Sequence, residues 1–77
     1  MKKYTYGIGA SWVLELPGYA GQKRRVIYSV TASRLKRNTE YYDLEIREQG
    51  KEVQQIEDMS ASRLHYLINF HCIEKLS

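Results

Sequence analysis

The chain has 77 residues, 27% of them charged, with a net charge of +3 and a single cysteine. That length makes one domain, 1–77, with a core so small that support from a disulfide, a metal or a partner subunit is expected. Cys72 alone excludes an intrachain disulfide and suits a reducing, cytoplasmic setting, and one cysteine with two histidines is a poor ligand set for a structural metal.

Met1-Lys2-Lys3 opens like a signal peptide, but Tyr4-Thr5-Tyr6-Gly7 stands where an apolar run should follow. No stretch approaches the roughly 18 apolar residues of a membrane span. From Tyr4 to Leu16 every even position is apolar or small: Tyr4, Tyr6, Ile8, Ala10, Trp12, Leu14 and Leu16. This period of two predicts a strand over 4–16 with one buried face, and Gly7 and Gly9 mark a bulge or bend within it. Pro17-Gly18 ends the strand, because proline cannot donate to the ladder.

A second strand is predicted over 24–34, rich in β-branched residues, with Tyr28 on the face of Val26 and Val30. Residues 31–38 admit two readings, a long hairpin arm or two helical turns capped by Thr31 or Ser33. The strand is the expectation. A third strand covers 40–48, with Tyr42, Leu44 and Ile46 inward and Tyr41, Asp43, Glu45 and Arg47 outward. Gln49-Gly50-Lys51 forms a turn. A weaker fourth strand covers 52–57, where Val53 and Ile56 stand three apart and point to a bulge or an edge. Ser60 then caps a helix over 61–76.

That helix has two apolar stripes. Leu64, Leu67, Ile68, His71 and Cys72 fall on one side, and Tyr66, Phe70 and Ile73 on the other. A helix packed on a sheet needs one stripe, so the second is expected to meet a partner. The predicted fold is α+β, a four-stranded antiparallel β-meander with one C-terminal α-helix packed on one face. Its expected core is Tyr6, Ile8, Trp12, Leu14, Val26, Tyr28, Val30, Leu44, Ile46, Leu64, Leu67 and Ile68. This layout resembles that of coactivator-type single-stranded-DNA-binding proteins. The likeness is of layout alone, so no residue role is carried over.

Charge is sorted along the chain. Residues 1–39 hold eight basic residues, Lys2 and Lys3 among them, against Glu15 alone, a net of +7. Residues 40–77 hold four basic against eight acidic residues, a net of −4. Lys23, Arg24, Arg25, Arg34, Lys36 and Arg37 bracket the second strand. With seven tyrosines and Trp12 they suggest a cationic, aromatic surface for single-stranded DNA or RNA. The simpler reading pairs them across strands with acidic residues such as Glu40, Asp43 and Glu45.

No catalytic constellation emerges. His65 and His71 are six apart, so they diverge around a helix and do not form a ligand pair. Cys72 beside His71 has no orienting third group for nucleophilic chemistry. Gly7-Ile8-Gly9 sits inside a predicted strand, not at a strand-to-helix turn where phosphate loops form. The expectation is therefore a non-enzymatic binding protein without cofactor or metal. It would act in the cytoplasm through protein–protein contacts at Tyr66, Phe70 and Ile73, as a homodimer or on a host protein. Phage- or mobile-element-encoded inhibitors and adaptors are of this kind. Nucleic-acid binding through the six basic residues is the alternative.

Overall fold

The computed structural model describes residues 4–77; Lys2 and Lys3 lie outside them. Its elements are β1 (Ser11–Pro17), a short 3-10 turn (Tyr19–Gly21), β2 (Lys23–Lys36), β3 (Thr39–Glu48), β4 (Gln54–Ser60), α1 (Ala61–His71) and β5 (Cys72–Lys75). The strands form one antiparallel sheet in the order β4-β3-β2-β1-β5. The α+β class is as expected, with five strands in place of four. No helix among the described residues is long and apolar enough to cross a membrane.

Alternation places Trp12, Leu14, Val26, Tyr28, Val30, Tyr42 and Leu44 on the face that α1 covers. Leu64 and Leu67 of α1 complete the buried core, with Tyr6, Ile46 and Ile68 packed at its margin. Tyr42, absent from the expected core, is fully buried, and Ile8, expected inside it, is 71% exposed.

Ile8 is outside because residues 4–10 are not strand. Ala10 N–H donates to the Gly7 carbonyl at 3.1 Å, closing a turn in which Gly9 has φ +91°. A side chain at that φ would be strained, so glycine permits the reversal. The chain before the turn lies back over the core. The Tyr6 ring meets Trp12 and Tyr42 edge-on at 5.2 and 5.5 Å between centroids. Thr5 is tied to the Glu40 carboxylate through its N–H (3.2 Å) and hydroxyl (2.7 Å), and Tyr42 donates to the same carboxylate at 3.0 Å.

Residues 31–36 continue β2 as a strand, and Arg37 and Asn38, both at positive φ, make the two-residue turn into β3. Positive φ at both central positions matches the right-handed twist of the flanking strands. Asp43 of β3 sits between two bulges. On the β2 side Thr31 is the extra residue, since Val30 faces Leu44 and Ala32 faces Asp43. On the β4 side Glu57 and Asp58 together oppose Asp43, with Asp58 at φ +58°.

The helix begins where expected, Ser60 Oγ accepting from Arg63 N–H at 3.3 Å. It ends five residues early, at His71. Its contacts run from β4 and β3 to β1 and β5, so it crosses the sheet. Eleven residues of helix are about 16 Å long, against roughly 19 Å from one edge strand to the other at ordinary spacing. Having reached the far edge, the chain becomes β5 and pairs with β1, with Leu76 N–H donating to Ser11 O at 2.9 Å.

Candidate functional site

The two basic clusters lie at opposite ends of β2. A 14-residue strand separates them by roughly 40 Å, in a molecule 45 Å long. Most of their charge is answered locally. Arg24 forks onto Glu48 at 2.6 and 2.9 Å, while Lys23 and Arg25 share Glu15 at 3.3 and 3.7 Å. Arg34 forks onto Asp43 with both bonds at 2.6 Å and also reaches Asp58, which Lys36 contacts at 2.9 Å. Arg37, on the hairpin turn, is the one member without an ion pair among the described residues.

Of the acidic partners expected, Asp43 takes Arg34 across the strands, whereas Glu45 takes Arg47 of its own strand at 2.6 Å and Arg24 takes Glu48. Register is the reason: Ala32 faces Asp43 and Arg34 faces Tyr41, which puts Arg34 diagonal to Asp43. The Arg34 bonds, helped by the Asp58 N–H, hold the Asp43 carboxyl down at about 2. The Arg24 fork holds Glu48 at about 2. Arg34 itself is pushed above its usual value by the same bonds.

The aromatic residues are divided: Tyr19, on the turn before Lys23, is 93% exposed. Trp12, Tyr28 and Tyr42 are buried under α1. On the uncovered sheet face the register places Tyr41, with Lys36 Nζ 5.6 Å from its ring centre. Beside the β3–β4 turn is a shallow depression lined by Val13, Ile27, Val53, Arg25, Arg47 and Glu48.

Tyr66, Phe70 and Ile73 are brought to one side of the molecule, at the β5 edge. Tyr66 and Phe70, one turn apart on α1, stack with ring centres 4.6 Å apart and planes tilted by 37°. The Arg63 guanidinium lies 5.5 Å from the Tyr66 ring centre. Phe70 is 69% exposed, Ile73 50% and Tyr66 47%. Ile73 is not helical, as the two-stripe pattern assumed; it belongs to β5. It is the extra residue of a bulge there, since Leu14 faces Cys72 and Val13 faces Glu74. Phe70 and Ile73 line a groove of about 380 Å³ whose other wall is Leu16-Pro17-Gly18 and Gly21 to Lys23. No local pattern in Cys72–Lys75 distinguishes strand from helix, so periodicity alone had no signal for this groove.

The remaining candidates are structural. His65 Nδ1 lies 3.1 Å from the Tyr6 hydroxyl and Nε2 lies 2.9 Å from the Asn69 amide. His71 stands edge-on to Tyr66 at 6.4 Å. Cys72 is half-buried against the core, its thiol donating to the Glu74 carbonyl at 3.4 Å. Among the described residues no group of three or more His, Cys, Asp or Glu is placed to hold a metal ion. Compared with protein-family models, with curated proteins and with solved structures, the chain matches none.

Proposed function

We propose that this protein is a small non-enzymatic binding protein that works through protein–protein contact at the Tyr66–Phe70–Ile73 surface. The observation that carries this reading is the gathering of three large, exposed apolar side chains on one edge, beside a groove. Exposed apolar clusters rimmed by polar groups mark interaction sites, and aromatic side chains dominate the energetics of such contacts. We assign its action to the cytoplasm, as an inhibitor or adaptor of a host protein of the kind phages and other mobile elements encode.

Nucleic-acid binding has less behind it. Five of the six basic residues that would carry it are ion-paired, and the two clusters stand far apart, with Trp12, Tyr28 and Tyr42 in the core.

A pull-down from host-cell lysate, with and without nuclease, tests the reading. The expected result is a retained protein, either a host protein or an untagged second copy of this chain, that survives nuclease and is lost with Phe70→Asp. Retention that disappears with nuclease, alongside steeply salt-dependent binding of a single-stranded oligonucleotide, would move the function to the basic clusters.

A further inference from the structure

The two sheet edges offer unequal sites for a further strand. On β4 the edge is kinked by the Glu57-Asp58 bulge, and Asp58 has left-handed backbone. Glu52 and Glu57, in no ion pair among the described residues, add like charge there, while Asp58 is neutralised by Arg34 and Lys36. Bulges and like charges are devices that discourage edge pairing. The β5 edge has a bulge of its own at Ile73 but no residue with left-handed backbone; its Glu74 and Lys75 cancel, and it lies beside exposed Tyr66, Phe70, Ile73 and Leu76.

Resting on the protein-contact reading above, we infer that the occupant of this surface is a second copy of the chain, whose β5 pairs antiparallel with β5 about a two-fold axis. The axis stands normal to the sheet, so both helices lie on the same face of one ten-stranded sheet. Residues that meet across such an axis point to the same face, which makes Ile73 against Ile73 one natural register and Glu74 against Glu74 the next. Repulsion between like carboxylates directly opposite disfavours the second. With Ile73 on the axis, position 72 of each copy faces position 74 of the other.

Area and closure argue the same way. The exposed parts of Tyr66, Phe70, Ile73 and Leu76 amount to roughly 400 Å² per copy, about half of what each side of a standard interface buries. The β5 backbone and flanking polar side chains such as Asn69 and Lys75 supply area around them. The contact is isologous, so it closes after two copies and leaves only the two β4 edges, each kinked at Asp58, outside. A 77-residue domain with a single cysteine gains from a subunit the support its small core lacks.

The experiment is light scattering on the purified chain across micromolar concentrations, combined with cross-linking. Twice the chain mass is expected for the wild type and the single-chain mass for Phe70→Asp, with an unchanged far-ultraviolet circular dichroism spectrum. In a Cys72→Ser background, Ile73→Cys is expected to oxidise to a disulfide-linked dimer, because residues opposite each other in an antiparallel pair come within disulfide reach. Gln55→Cys on the β4 edge should not. The single-chain mass at every concentration without a cross-link at position 73 overturns the dimer, as do open-ended assemblies or a dimer that cross-links through Gln55→Cys. If the monomeric chain nonetheless retains a separate protein in a Phe70-dependent way, the dimer fails while the protein-contact reading stands. If it retains none, both fail.

Discussion

The β4 edge of the sheet is held by charge, and the β5 edge is left apolar. At β4, Asp43 accepts from Arg34 and from the Asp58 N–H, and Asp58 in turn accepts from Arg34 and Lys36, so one carboxylate cluster ties three strands through two bulges. At β5, Glu74 and Lys75 make no ion pair among the described residues, and Ile73 sits beside the stacked Tyr66 and Phe70. Internal charge pairing fixes a register while leaving little for a partner to recognise. Exposed apolar side chains beside an open ladder leave register to be completed from outside. The difference is why the proposed contact surface lies at the edge where side chains have the fewest partners within the chain.

The largest effect is expected at the element that joins the two edges. Leu64 is fully buried under the middle of the sheet. Leu64→Ala should cost about 2–5 kcal/mol of unfolding free energy, read by urea titration. A loss below about 1 kcal/mol would mean that α1 contributes little to holding the edges together.

The charged edge predicts an acid limb. The folded values of Asp43 and Glu48 lie at about 2, below their ordinary 3.8 and 4.5, because arginine forks stabilise the ionised forms. A depressed carboxylate contributes stability that is complete above its ordinary value and is lost as pH falls through the folded one. Urea midpoints should therefore hold steady down to about pH 4.5 and fall from there towards pH 2. Asp43→Asn should lower the midpoint at neutral pH and flatten that limb. A variant limb parallel to the wild type would break the assignment of the acid sensitivity to this cluster.

Ser60 stands where β4 hands the chain to α1. Its hydroxyl makes a long cap bond of 3.3 Å, so Ser60→Ala should cost about 0.5–1 kcal/mol in the same titration. The smallest effect on the single chain is expected at the apolar edge. Phe70→Asp should leave the dilute protein within about 0.5 kcal/mol of the wild type. The wild-type midpoint should rise with protein concentration and the Phe70→Asp midpoint should not, since association stabilises by mass action.

Much of the sheet was legible in the chain. The alternation of Trp12 and Leu14, of Val26, Tyr28 and Val30, and of Tyr42 and Leu44 identified the covered face, and Leu64 and Leu67 identified the helix face that covers it. Opposite charge on β2 and β3 was legible as well, but the pairs were not. The bulges at Thr31 and at Glu57-Asp58 shift which side chains are neighbours, and a bulge depends on both strands. Tyr66, Phe70 and Ile73 stood out as an unpaired stripe for a reason that was half right. Two of them share a helix face, and the third reaches the same edge as a strand residue.

The sequence by itself determined which side chains are apolar at which spacing, and hence the class of fold and the location of an unsatisfied apolar surface. Tertiary structure decided where the periodic elements stop. Residues 4–10 keep the alternation of a strand yet turn back at Gly9, because Tyr6 gains a place against Trp12 and Tyr42 and Thr5 a bond to Glu40. Cys72–Lys75 keep the spacing of a helix yet extend, because an 11-residue helix has by then crossed the sheet and β1 has an open ladder. Periodicity reports a face, whereas hydrogen bonding between distant segments chooses the conformation that presents it.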